Sequence, residues 1–143
     1  MDLGISGRKA IVCAASKGLG RACAMSLGRE GVELVINART AETLEATAEE
    51  IRQETGAKVT AVACDITTDA GREAVLSACP QPDILVNNAG INKIAPFVEV
   101  ALNDFLKIQQ INVLAPFLLC QASVPAMQSK EWGRIVNISS IWG

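Results

Sequence analysis

Short apolar runs alternate along this chain with stretches of helical spacing. The runs Lys9–Ala14, Val32–Asn37, Lys58–Cys64, Asp83–Asn87 and Arg134–Ser139 are rich in β-branched residues and read as strands. Between them, Leu44, Ala48 and Ile51 form one stripe, with Thr40 placed to cap the start of a helix and Gly56 just past its end. Met25 and Leu27 make a weaker stripe that Gly31 closes, and a short helix from about Asp69 to Ala78 is stopped by Pro80 and Pro82. Repeated strand, helix, strand predicts an α/β fold: a parallel sheet with helices on both faces.

The fourth helix is the longest expected, from roughly Leu102 to Gln128. Phe105, Ile108, Asn112, Ala115, Leu119, Ala122 and Ala126 advance in steps of three and four, so they share one face, apolar except at Asn112. Pro116, four residues on, cannot donate the N–H that the Asn112 carbonyl would accept, which predicts a kink with a free carbonyl beside a buried amide. Two readings of Asn112 stand at this point: a core amide bonded to neighbouring backbone, or a functional group.

Composition narrows the classes. The chain has 143 residues, half of them apolar, which suits one domain with a real core and no disordered array. Lys plus Arg is 13 against 15 for Asp plus Glu, a net charge of −2. That balance and the scarcity of aromatic rings argue against a nucleic-acid groove. No His and no Tyr occur, so His triads, His metal sites and Tyr acid/base catalysis are outside this sequence. Cys13, Cys23, Cys64, Cys79 and Cys120 are odd in number and none are in C-x-x-C spacing, so no metal site is expected and they read as reduced, buried thiols. No signal-like start and no run of ~18 apolar residues are seen, so the expectation is a cytoplasmic chain without a membrane segment.

Candidate chemistry gathers at the strand ends. The first strand runs into Ala14-Ala15-Ser16-Lys17-Gly18-Leu19-Gly20 and then into a helix opened by Arg21. A glycine-rich turn there lets backbone approach a phosphate, and the helix N-terminus adds orphan N–H groups and the positive dipole end. Ser16 and Lys17, Asn37 and Arg39, Asp65, Asn87 and Asn88, and Ser139 and Ser140 all follow strands, where ligands of open parallel sheets bind. An NAD site needs an acid near the end of the second strand, yet this chain reads Asn37-Ala38-Arg39 with no carboxylate before Glu42. Arg39 and Lys17 together suit a 2′-phosphate, so NADP(H) is preferred over NAD(H). The competing account is that Arg39 only pairs with Glu42 or Glu45.

These residues resemble the short-chain dehydrogenase/reductase family, including its 3-oxoacyl-(acyl-carrier-protein) reductase-like members. The resemblance rests on the Ala14–Gly20 turn, Cys64-Asp65-Ile66, Asn87-Asn88-Ala89-Gly90, Ile111-Asn112-Val113 and Gly133-Arg134-Ile135-Val136-Asn137-Ile138-Ser139-Ser140. It implies a Rossmann-like doubly wound parallel sheet, strand order 3-2-1-4-5, with residues 1–143 forming a single dinucleotide-binding domain incomplete at its C-terminal end. It implies hydride transfer between a nicotinamide and a small-molecule carbonyl or alcohol, and a homo-oligomer for the full-length form. By the same likeness Ala14, Ser16, Gly18, Leu19 and Gly20 belong to the pyrophosphate turn, and Lys17 and Arg39 hold the 2′-phosphate. Asp65 and Ile66 border the adenine; Asn88, Ala89 and Gly90 border the ribose.

Asn112 matches the family's catalytic asparagine, and Ser140, followed by Ile141-Trp142-Gly143, its serine, with Ser139 as the alternative register. Two departures count. Ala14 replaces the first motif glycine, at a cost of about 1–2 kcal/mol if that position needs positive φ. The Tyr-x-x-x-Lys step is absent, and Lys93 and Lys130 match no catalytic position, so these 143 residues alone are expected not to turn over. The enzyme reading takes the chain as the N-terminal part of a reductase; the alternative is a non-catalytic NADP(H)-binding or interaction module. A P-loop needs Gly-x-x-x-x-Gly-Lys-[Ser/Thr], which Lys17, standing before its glycine, does not meet.

Overall fold

In the first strand Ala10 and Val12 face one layer of core, and Ile11 and Cys13 face the other. This two-residue alternation leaves both faces of the sheet in need of cover. The computed structural model describes residues 2–141. Its strands are β1 (Lys9–Val12), β2 (Glu33–Ala38), β3 (Val59–Ala63), β4 (Ile84–Asn87) and β5 (Arg134–Asn137), all parallel, in the order β3-β2-β1-β4-β5. This is the Rossmann-like, doubly wound order expected from the sequence. Each strand end falls within two residues of its predicted place.

Helices α1 (Gly18–Arg29) and α2 (Ala41–Thr55) cover one face, burying Ala24, Met25, Leu44, Ala48 and Ile51 against Val12, Leu34 and Ile36. The α1 helix starts at Gly18, three residues before the Arg21 start expected from the sequence. Gly56, with φ of 71°, ends α2, and its N–H donates to the Arg52 carbonyl. Thr40 stands at the N-cap position of α2 but caps it with no side-chain bond. The other face is covered by α3 (Asp69–Ala78) and by a helix running to Ser129, through Val75, Ala115, Leu119 and Met127. Thr68 caps α3 by accepting the Gly71 N–H at 3.0 Å.

The long fourth helix is not continuous. It comprises α4 (Leu102–Gln109), a π turn (Gln110–Leu114) and α5 (Ala115–Ser129). The π turn puts an extra residue into the winding, so a stripe counted in steps of three and four loses its register there. The buried face of α5 is Ala115, Leu119, Ser123 and Met127, whereas Phe105, Asn112 and Ala122 of the expected stripe are exposed. The expected buried amide at Asn112 is thus corrected to an exposed one. Pro125 lies inside α5. By length and composition the run Leu102–Ser129 passes as a membrane span, which corrects the expectation that no segment does; its inner residues pack on the sheet.

Strand β5 is an edge. All four of its residues are exposed, with Ile135 and Val136 at 37% and 44%. Leu102, Phe105, Leu106, Val113, Leu114 and Phe117 likewise present apolar surface on the helical run. At the opposite end of the sheet from the candidate site, Trp132 is held between Arg8 and Arg134, whose guanidinium carbons lie 4.0 and 4.7 Å from its ring centre.

Candidate functional site

The sheet order reverses between β1 and β4, which opens a crevice at their carboxyl ends. The chain leaves β1 through Ala14, which has a φ of 50°, so the position does demand the left-handed region and the alanine is strained there. Ala15 returns to the sheet by donating its N–H to the Asn37 carbonyl at 2.8 Å. Gly18, with φ of +57°, needs its glycine for the backbone, and a Cβ on it would meet nothing within 4 Å. The turn is therefore open on that side, with room for a phosphate against bare backbone at the start of α1.

Gly20 serves a different purpose. A Cβ there would stand 2.3 Å from the Ala14 carbonyl oxygen and 2.6 Å from Nδ2 of Asn88. The helix start, the turn and the end of β4 close on one another at this point. Asn88 fastens them, donating from Nδ2 to the carbonyls of Ala14 at 3.1 Å and Cys13 at 3.3 Å. Thr47, buried on α2, donates to the Ser16 carbonyl at 2.9 Å and fixes the tip of the turn. Arg21 pairs with Glu50, tying α1 to α2. Sequence reasoning missed Thr47 and Glu50; a threonine inside the Leu44–Ala48 stripe was the available signal.

Lys17 and Arg39 are both exposed beside this turn. Among the described residues Arg39 pairs with neither Glu42 nor Glu45, since Glu45 is taken by Arg52 at 2.7 Å. The competing account of Arg39 is not what the structure has. Asp65 lies in the electrostatic reach of Arg39 and Lys107. Its carboxyl is held below the usual range chiefly by the Thr67 hydroxyl at 2.7 Å and amide at 2.9 Å, with Arg39 and Lys107 adding to the effect. Ile66 is buried in the core, and its carbonyl accepts from Nη1 of Arg72 at 2.9 Å.

Beyond β4, Ala89 is half-buried and Gly90 exposed; a Cβ on Gly90 would approach Oδ1 of Asn112 to 3.7 Å. Asn112 accepts the Ile91 N–H at 2.9 Å and donates to the Ile91 carbonyl at 2.8 Å. Its side chain is spent on pinning the segment after Gly90, while Pro116 leaves its carbonyl without the donor of an α-helix. Ala14, Gly20, Asn88, Gly90 and Asn112 are thus in one connected patch. Leu19 is exposed at the mouth of α1. Ser139 and Ser140 are exposed just past β5; Trp142 and Gly143 lie outside the described residues.

The thiols do not join this chemistry. Burial pushes Cys13 up to about 12, and Cys79 is buried as expected, but Cys23, Cys64 and Cys120 are only half-buried, which corrects the expectation for those three.

A doubly wound parallel sheet with a glycine turn opening its first helix defines a nucleotide-binding α/β protein. The family model described as short chain dehydrogenase matches residues 8–143, and the chain belongs to that family. It is 33% identical over 147 residues to the 3-oxoacyl-(acyl-carrier-protein) reductase of Aquifex aeolicus, covering 100% of this chain and 59% of that protein. To the gluconate 5-dehydrogenase of Gluconobacter oxydans it is 38% identical over 141 residues, covering 96% of this chain and 55% of that one. The L-sorbose reductase of Gluconobacter frateurii, solved with NADPH and L-sorbose, superposes with a TM-score of 0.93 at 34% identity, over 99% of this chain and 55% of that one. A metagenomic short-chain oxidoreductase solved with NADP gives 0.88 at 36% identity, over 96% and 64%. The chain spans little more than half the length of the curated relatives it matches.

Proposed function

We propose that this chain supplies the nucleotide-binding part of an NADP(H)-dependent oxidoreductase that moves a hydride between the nicotinamide and a small-molecule carbonyl or alcohol. The observation that carries the cofactor preference is Arg39, exposed at the end of β2 and in no close ion pair among the described residues, Asp65 attracting it only from a longer distance. A 2′-phosphate would give Arg39 and Lys17 a charged partner at close range, which a free ribose 2′-hydroxyl would not. The open backbone at Gly18 and the start of α1 fit a pyrophosphate. The bound nicotinamide supplies the hydride chemistry. On the protein side, Asp65 and Ile66 border the adenine, and Asn88, Ala89 and Gly90 the adjoining ribose.

In this reading Asn112 braces the Gly90–Ile91 segment and offers its backbone carbonyl to a proton relay, and Ser140 donates a hydrogen bond to the substrate oxygen. The relatives are named for 3-oxoacyl thioesters of a carrier protein, gluconate and sorbose. The chemistry those names share is a carbonyl and its alcohol, which is the substrate class we assign. The full-length form is proposed as a homo-oligomer. For these residues alone, which include no Tyr, we propose NADP(H) binding without turnover.

The test is calorimetric titration of the chain with NADPH and NADH. Binding of NADPH at least tenfold tighter than NADH, with the ratio inverted in Arg39→Asp, supports the reading. Equal affinities, or an Arg39→Asp variant that keeps the preference, overturn the cofactor assignment.

A further inference from the structure

Asn87 and Asn137 stand opposite each other at the carboxyl ends of β4 and β5. One level back the facing pair is apolar, Leu85 with Ile135. Asn87 is 5% exposed; its Nδ2 donates to Oδ1 of Asn137 at 2.9 Å and touches Sγ of Cys120 at 3.4 Å. Its own Oδ1 is buried with no hydrogen-bond partner among the described residues. An aliphatic side chain of similar size would leave no orphaned atom, so the amide is a poor choice for stability alone. What it does is hold β5 laterally where the ladder ends, beside the bond from the Ile138 N–H to the Asn87 carbonyl at 3.0 Å.

The elements on each side give this bond its meaning. Asn87 leads directly into Asn88, which is fastened to the Ala14 turn, and on to Ile91, which Asn112 holds. Asn137 leads through Ile138 to Ser139 and Ser140 past the end of β5, which among the described residues pairs with β4 alone. We propose that the Asn87–Asn137 amide pair is a positioning device that locks the Ser140 strand end to the cofactor turn, so that movement of one is felt by the other. The inference rests on the cofactor reading above, and it names residues that act through the turn and the serine without touching the reacting atoms.

The test uses the full chain with Asn87→Leu, Asn137→Leu, the double variant, and Asn137→Asp, which keeps an acceptor oxygen. Amide hydrogen exchange is followed at Ala89, Gly90 and Ile91, together with NADPH affinity and the thermal midpoint. Asn137→Leu should speed exchange about tenfold in the segment at 89–91, the size of one net hydrogen bond, and weaken NADPH by a similar factor. Asn87→Leu should do the same with an unchanged or raised midpoint, the double variant should go no further than either single one, and Asn137→Asp should restore the exchange. Unchanged exchange at 89–91 in Asn137→Leu, or effects that multiply in the double variant, overturns the proposal. Failure of the unmodified chain to bind NADPH would sink the cofactor reading, while the exchange data would still decide the coupling.

Discussion

Gly20→Ala is the sharpest perturbation the site allows. The added methyl carbon would lie 2.3 Å from the Ala14 oxygen, 2.9 Å from the Ala14 carbonyl carbon and 2.6 Å from Nδ2 of Asn88. Ordinary contact needs about 1 Å more, and two of those three atoms are backbone at an already strained residue. Overpacking of this kind costs about 1–3 kcal/mol. Displacing the Asn88 amide from two carbonyls adds about 0.5–1.5 kcal/mol for each bond lost. Alanine's better helix propensity returns up to about 1 kcal/mol. The terms leave a net loss of about 1–6 kcal/mol, centred on ~3, seen as a lower urea midpoint at an unchanged slope. In an Asn88→Ala background the same substitution should cost at least about 1 kcal/mol less, because one of the two obstacles is gone. A midpoint change under about 0.5 kcal/mol, or strict additivity with Asn88→Ala, would refute the close approach of α1, the turn and β4 on which the site rests.

Other outcomes follow from the same geometry. Ala14→Gly relieves a φ of 50° worth about 1–2 kcal/mol but loosens the unfolded chain by about 0.4–1, so urea unfolding should show a gain of roughly 0.5–1 kcal/mol. Asn112→Ala removes both bonds to Ile91; at this exposed position about 1–2 kcal/mol should be lost, with faster hydrogen exchange at the Ile91 amide. Burial opposes ionisation of Asp83, but Lys130 at 2.6 Å and the Lys9 N–H at 2.9 Å more than offset it, so its carboxyl lies below the usual range. A lowered folded value means that its contribution is present above the ordinary carboxylate range near ~3.9 and is lost as pH falls through the folded value. Asp83→Asn should therefore be less stable than the parent at pH 7, and the gap should shrink as an acid titration passes below pH ~4. A gap that stays constant with pH would refute the assignment.

Much of this protein follows from local pattern. Strand runs, the Gly56 stop and the prolines that end the third helix are written in residue types whose backbone preferences act within a few positions, and α3 spans Asp69–Ala78 as read. The polar residues at the strand ends are legible for the same reason; the parallel α/β class follows from the alternation of strand and helix, and the strand order is implied by the family resemblance. The fourth helix marks where this stops. Its apolar spacing carries no sign of a π turn, because the extra residue depends on where α4 and α5 must each dock, so Asn112 moved from an expected buried face to an exposed one bonded to Ile91. Likewise the Thr47 anchor under Ser16 and the pairing of Asn87 with Asn137 join residues 31 and 50 positions apart. Such contacts exist only once the sheet brings its strand ends together, and no periodicity along the chain encodes them.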